Sequence, residues 1–482
     1  MMMNQDASSK IRSRVKNPLG VRFWIWLLSA CMLVLIVSVL FSAWAVWHAQ
    51  MGGTRFSGSQ LRMVNYVANF PSLARTAFQE VGAMLTGDPL PLLIDRKTTE
   101  HPYWVRKFPA AEDDGYLLFS GVDQSEKQSV VKLIRISDGS VIARWVPDWP
   151  ALLALAAPKN ATHLIETVRS PYAAKAIHPL LLNDGDIIFQ DTGWITRVGL
   201  CGAKPVWLLN EIMHHSLEMD ETGLGIWGPS ISQEGFADNP FMQKRVRDDA
   251  LAHVSLDGKV LEQLSFSRIL RENGLQSLLM GTSGGRLKQD PTHLNEIKVA
   301  KSDSHYWHRG DLLISSRHLS TLFLYRPSTG KILWYKTGPW MNQHAVDFVD
   351  EHRISVFNNN VVADVPAEHA FLVPGETNQV MVYDFATGQV TQPFAALLAV
   401  ARPLAFSEGL ARLLPDGGLF LEETIYGRQL RFSKDRLIWS RVNDYDDKHI
   451  GILSWSRYLT AEEARIPLQA IASRKCQPTV SH

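Results

Sequence analysis

The side chains best suited to chemistry lie between Gln289 and Asn360. His293 and Asn295 form a His-x-Asn, Arg317 closes an apolar run, and Gln343 and His344 open the next one. An imidazole acts as a nucleophile or moves a proton near neutral pH. A guanidinium stays charged and can grip two oxygens of an anion at once. The set therefore offers a nucleophile, a cation and two further hydrogen-bonding groups. In an extended strand residues i and i+2 share a face, so His293 and Asn295 are expected to grip one ligand together.

Residues so far apart must be gathered by the fold, and the chain repeats itself in a way that would gather them. One phrase is a turn, a glycine and an apolar strand: DDGYLLF (113–119), NDGDIIF (183–189), HRGDLLI (308–314) and PDGGLFL (415–421). A second is a strand, a turn and another strand: RISDGSVIARW (135–145), HVSLDGKVLEQL (253–264), YRPSTGKILWY (325–335) and YDFATGQVTQPF (383–394). Degenerate repeats of short antiparallel strands point to an all-β fold, a β-propeller of about six blades. His178, His214 and His344 each stand six residues before an aspartate (Asp184, Asp220, Asp350), and His293 opens the equivalent stretch before a longer insertion. In a propeller the inner strands line the central channel, so these histidines would meet at one rim. Repeated packing or turn hydrogen bonding would place one residue at equivalent positions too, and the residues alone leave both readings open.

The 482-residue chain carries a formal net charge of +1, which argues against nucleic acid as its main partner. Cys31, Cys201 and Cys476 are far apart with no C-x-x-C, so neither a disulfide framework nor a zinc–cysteine site is expected, and a single Cys201–Cys476 bridge is the lesser alternative. No Lys, Arg, Asp or Glu occurs between Arg22 and Arg55, and the run Phe23–Trp47 has 25 residues. About 20 suffice to cross a bilayer. Trp24, Trp26, Trp44 and Trp47 sit towards its ends, and Lys10, Arg12, Arg14, Lys16 and Arg22 precede it against the single acid Asp6. The expected layout is a cytoplasmic basic tail (1–22), a single-pass anchor (23–47), a helical stalk broken by Pro71 (51–110), a propeller (111–460) and a C-terminal tail (461–482). The propeller would then lie in the periplasm or outside the cell. A cleaved signal peptide ending near Ala43-Trp44-Ala45 is the competing reading of the same segment.

The stretch from about His178 to Asn360, and more weakly onward to about Ser456, resembles the bacterial arylsulfotransferases. These propeller enzymes move a sulfuryl group between phenols through a histidine. The resemblance implies that His344 accepts the sulfuryl group and that His293, Asn295 and Arg317 hold it. One of His214 and His215 would handle the phenolic proton. A late hydroxyl-bearing residue of the family has no clear match, with Glu408 and Thr424 in its region. Secreted members carry an extra N-terminal β domain and a short disulfide loop, where this chain has an apolar segment and no matching cysteine pair. The implied partners are an aryl sulfate donor and a phenol acceptor, with no nucleotide sulfate donor, cofactor or metal. Sulfuryl transfer, like phosphoryl transfer, passes through a loose in-line transition state that needs positioning and charge neutralisation. A neutral imidazole of ordinary pKa, about 6.5, would give activity rising from about pH 6.

Three rivals stand beside this reading. A quinoprotein-like propeller is suggested by YRPSTGKILWYKTG, which resembles the tryptophan-docking repeat of those enzymes. A non-catalytic anchored propeller could bind an envelope protein or a glycan, since a fold does not dictate an activity. A metal site from His214, His215, Glu218 or the other rim histidines would meet opposition from Arg317. Lys244, Arg245 and Arg247, flanked by Asp248 and Asp249, read as a solvated face.

Overall fold

Six four-stranded antiparallel sheets follow one another along the chain. The computed structural model describes residues 18–50, 70–96, 107–156, 170–202, 204–232, 234, 236, 238–243, 246–281, 288–363, 370–373 and 375–474. Both recurring phrases fall on blade hairpins. The first makes the turn into the second strand of a blade, and the second joins the third strand to the fourth. Gly310 in HRGDLLI and Gly330 in YRPSTGKILWY have φ of 91° and 67°, a backbone that side chains rarely adopt.

Each blade is named here by its strands. Blade 2 begins with the inner strand Ile177–Leu181, blade 3 with Glu218–Met219, blade 4 with Leu294–Val299, blade 5 with His344–Phe348 and blade 6 with Leu410–Leu413. Blade 1 is built from both ends of the propeller: Tyr116–Asp123, Gln128–Arg135 and Val141–Trp145 take their inner strand, Arg457–Leu459, from near the C-terminus. That pairing closes the ring and leaves no open sheet edge there. The propeller thus has six blades, as the repeats imply. Blade 5 carries an inserted hairpin, Val361–Ala363 with Ala370–Leu372.

Blade faces pack against one another, so middle strands such as Leu312–Ser316 and Leu419–Glu423 are buried along their whole length. Leu313, Leu322 and Leu324 of blade 4 meet Val346, Ile354 and Val356 of blade 5. Each such side chain contributes about 1.5–3 kcal/mol by leaving water.

Two compact units divide the chain, 1–77 and 78–482. In the first, the helix Pro18–Gln50 holds a stretch, Trp26–Trp44, long and apolar enough to cross a membrane. The expected basic tail, other than its last residues, lies outside the described residues. Pro71 does not break the helix expected near it: it stands in the first turn of Phe70–Thr86, where a missing N–H costs little. The C-terminal segment contains a helix, Ala461–Ser473, started by a capping box of Thr460 and Glu463. Cys201 is disulfide-bonded, so a single bridge, the lesser alternative from cysteine spacing, is present at this residue; its partner lies outside the described residues. Spacing in sequence is a poor guide to a bridge, because geometry in the fold decides it.

Candidate active site

All six inner strands open at one end of the channel, and each opens near a residue in left-handed backbone. These residues are His178 (φ 49°), His215 (62°), His293 (47°), Ala345 (32°), Glu408 (57°) and Trp455 (61°). That conformation costs a residue with a side chain about 1–2 kcal/mol. A ring of costly conformations at one mouth is a reason to look for function there.

The same backbone turn breaks the strand alternation. The ladder slips between Leu294 and Glu296 and between His344 and Val346. His293 and Asn295 therefore do not share a face as expected. His293 is partly exposed, whereas Asn295 is fully buried and donates its amide to the Gln343 carbonyl at 2.7 Å. Asn295 is a strap between two inner strands. It holds the backbone just before His344.

His215 is the hub of the histidine cluster. Its ring centre lies 5.0 Å from His214, 5.0 Å from His293, 6.4 Å from His344 and 5.9 Å from Trp455. His178 stands apart from the cluster: its Nδ1 accepts from the Leu217 backbone N–H at 3.0 Å and its ring packs on Trp455. Burial, then the other imidazoles and Arg247, hold the pKa of His215 well below the usual histidine value.

His344 is buried, and its tautomer follows from its neighbours. The side-chain nitrogen of Asn359 donates to the carbonyls of Ala405 and Glu408, at 3.0 and 2.8 Å. The amide oxygen of Asn359 must then face His344, 2.8 Å from Nδ1. Nδ1 therefore carries the proton, and Nε2 keeps its lone pair. Burial first and the Arg317 charge second push the His344 pKa well below the ordinary value.

Arg317 is the cation of the site. One of its nitrogens lies 3.0 Å from His318 Nε2, and no carboxylate pairs with it among the described residues. Burial lowers its pKa, but a guanidinium keeps its charge at neutral pH. His318 in turn donates from Nδ1 to the Asp290 carbonyl at 2.7 Å, and burial draws its pKa down to about 4. Asp290 also accepts from His293 Nδ1 at 2.5 Å.

Arg247 overturns its sequence reading. It is mostly buried, bonds Asp249 at 2.8 Å, lies 3.5 Å from Asp290 and comes within 3.0 Å of His214 Nε2. The local run of mixed charges resembled a solvated face because nothing in it reveals that Asp249 turns inward.

Beside His215 lies a cavity of about 150 Å³. Ile177, Ile212, Ile231 and Trp455 give it apolar walls, with Lys175 and Glu408 at 3.7 Å from each other on its lining. Ser454 also lines it, and its buried Oγ has no hydrogen-bond partner among the described residues. Thr424 instead bonds Glu422 at 3.2 Å. Asp290, His293 and His318 could converge on a metal ion, since their ligand atoms lie within 4.8 Å of one another. Two guanidinium groups flank that trio, and their charge opposes a cation. Glu218, a partner in the expected metal set, is instead bound to Lys298 at 2.9 Å.

The arylsulfotransferase (ASST) family model matches residues 178–443, more than half of the chain, so the chain belongs to the arylsulfotransferase family. No curated protein matches it. Among solved structures it is similar to a protein of unknown function from Bacteroides caccae, at 12% identity over 72% of this chain and 99% of that one, with a TM-score of 0.43. It is also similar to a catalytically inactive virginiamycin B lyase from Staphylococcus aureus, at 12% identity over 67% and 83%, with a TM-score of 0.34. Hydrazine synthase from Kuenenia stuttgartiensis follows at 10% identity over 70% and 80%, with a TM-score of 0.36. These structural likenesses are too distant to add to the reading.

Proposed function

We propose that this chain transfers a sulfuryl group from an aryl sulfate to a phenol through a sulfohistidine at His344. The observation that carries the reading is the lone pair on His344 Nε2, set by Asn359, together with an Arg317 guanidinium whose charge acts on His344 and which pairs with no carboxylate among the described residues. Family membership supports the transferase class.

In the first step His344 Nε2 attacks sulfur, the S–O bond to the donor phenol breaks, and the phenolate leaves with a proton. In the second step the acceptor phenol loses its proton, attacks sulfur and releases His344. Arg317 neutralises charge on the sulfuryl oxygens. His293, with Asp290 behind Nδ1, turns its other nitrogen toward the same group. Asn295 contributes by holding the Gln343–His344 backbone. Both His214 and His215 line the cavity where an aromatic ring would rest, and His215 is the proton carrier because its ring also meets those of His293 and His344. No nucleotide sulfate is required.

The layout proposed with this activity is a helix anchored in the plasma membrane, with the N-terminus cytoplasmic and residues 111–460 forming the exported catalytic domain. The experiment is incubation of the purified chain with a chromogenic aryl sulfate, with and without phenol. Acceptor-dependent release of chromogen and a labelled adduct on His344 support the reading. No turnover, with binding to a glycan or envelope protein instead, overturns it in favour of the non-catalytic propeller. A spectral or melting change with pyrroloquinoline quinone and calcium favours the quinoprotein rival.

A further inference from the structure

The turn between the second and third strands of blade 4 carries Arg317 and His318 side by side. It is closed by the Ser320 N–H, which donates to the Arg317 carbonyl at 3.1 Å. Its first two backbone N–H groups donate to the start of the inner strand, Arg317 to the His293 carbonyl at 3.0 Å and His318 to the Thr292 carbonyl at 3.2 Å. The turn is thereby fixed to the segment that carries His293. The His318 ring is fixed as well. Its Nδ1 meets the Asp290 carbonyl at 2.7 Å, and its centre lies 4.4 Å from that of His293 with 34° between the ring planes.

A guanidinium only donates, so at the 3.0 Å contact with Arg317 the lone pair of His318 Nε2 accepts. A carbonyl oxygen only accepts, so His318 Nδ1 carries the ring proton. Both contacts select the same tautomer of a neutral imidazole. Burial first and His293 second oppose another ring proton and draw the pKa down to about 4, so this form persists at neutral pH.

We propose that His318 is the positioning residue of Arg317: it orients the guanidinium with a neutral lone pair and so fixes the cation without cancelling its charge. The inference rests on the sulfuryl-transfer reading above. A carboxylate in this place would hold Arg317 too, but its charge would repel the anionic sulfuryl group and offset the attraction of the guanidinium. Arg247, in the same cluster, is held in that other way, by Asp249 at 2.8 Å. His318 takes one N–H donor of Arg317, and the guanidinium makes no other hydrogen bond among the described residues. Its remaining donors are open to sulfuryl oxygens.

The test is single-turnover sulfation by one aryl sulfate in variants that differ in what stands at the Nε2 position. His318→Gln keeps a neutral acceptor and is expected to react within about fivefold of the unmodified rate. His318→Leu removes the acceptor and should slow sulfation on the order of 30-fold. His318→Glu keeps an acceptor but adds a negative charge, and should be slower than His318→Gln by on the order of 100-fold. A Glu variant as fast as the Gln variant, or a Leu variant at the unmodified rate, overturns the inference. In an Arg317→Met background, His318→Leu is expected to cost less than about twofold, because the group it positions is gone. The same loss in both backgrounds would reduce His318 to a structural contact. If His318→Leu fails to fold, the Gln-to-Glu ratio decides alone. If the unmodified chain transfers nothing, the transferase reading fails as a separate result, and equilibrium binding of the same aryl sulfate decides the positioning. His318→Glu should then bind it on the order of 10-fold more weakly than His318→Gln, and equal affinities or no binding overturn the inference.

Discussion

The channel has two mouths of opposite character. The mouth at which the inner strands begin holds the histidine cluster, a cavity of about 150 Å³ and Arg317. The mouth at which they end opens into a larger cavity of about 620 Å³, lined by Glu218, Lys298, Asp347, Arg412 and Arg457. There the cations are matched: Lys298 binds Glu218 at 2.9 Å, Arg412 binds Glu463 at 2.6 Å, and Arg457 spends its donors on the carbonyls of Pro179 and Leu217. Size therefore does not mark the end proposed as reactive. What marks it is a guanidinium that pairs with no carboxylate among the described residues, beside imidazoles that burial keeps neutral. A matched network stabilises a wall, whereas an unmatched cation is available to an anion.

The sharpest way to break this contrast is to remove the nucleophile. His344→Ala is expected to lower turnover by on the order of 10⁴-fold or more and to abolish the labelled adduct. A covalent adduct that survives the substitution moves the nucleophile elsewhere in the cluster. Arg317→Met should follow, with a loss on the order of 10³-fold in kcat, measured with the same donor. Asn359→Leu tests the tautomer. Without the acceptor at Nδ1, His344 can place its proton on Nε2, and sulfation should slow on the order of 100-fold while the protein still binds aryl sulfate. An unchanged sulfation rate would mean that Asn359 has no hold on the ring.

How much of this was legible follows from the kind of signal each residue leaves. Turn glycines and apolar strands recur at short range, so the blades could be read from phrases such as HRGDLLI, while their number, about six, came only from the length of chain the repeats span. His293 and His344 were legible because they occupy matching positions in different repeats, and Arg317 because it closes an apolar run within the stretch that resembles the family. Arg247 and Asp290 were not. Their roles come from contacts across a blade boundary, and their local charge pattern looks like solvated surface. Asn359 sits in an Asn triplet at the end of the run first singled out, but only its bonds to Ala405 and Glu408 say which way its amide points. Trp455 hid for another reason: it opens the inner strand of blade 1, which the chain supplies only after the other five blades are made. The shared face expected of His293 and Asn295 failed because left-handed backbone at His293 removes the alternation on which that expectation relied.

The matched mouth should respond in stability more than in activity. Lys298→Met leaves Glu218 with a weaker set of cations and is expected to cost about 1–3 kcal/mol, since the pair is largely buried but not wholly desolvated. Turnover at the other mouth should change less than about threefold, because additivity holds between distant sites. A larger loss of turnover would show that the two mouths are coupled through the inner strands, and the contrast between them would weaken accordingly.

Acid and base should also affect the two ends with opposite sign. His215 and His344, at the histidine end, have folded-state pKa values well below the unfolded value of about 6.5. Below that value the unfolded chain binds more protons, so their contribution is complete above about pH 6.5 and is lost as pH falls. Glu296, in the channel near Lys298 and Glu218, behaves in reverse. Both its oxygens lack hydrogen-bond partners among the described residues, Lys298 stands only at 3.9 Å, and burial raises its pKa to about 8. The folded chain holds that proton more tightly, so its contribution is complete at acid pH and is lost as pH rises through about 8. An amide at this position cannot ionise. Glu296→Gln is therefore expected to raise the melting temperature relative to the unmodified protein more at pH 8 than at pH 5, by about 2 °C. The acid-side decline set by the histidines should stay as it was. A variant whose melting curve keeps the original slope above pH 7 would show that Glu296 is ionised in the folded chain, and that the strand-end mouth compensates its anions as fully as its cations.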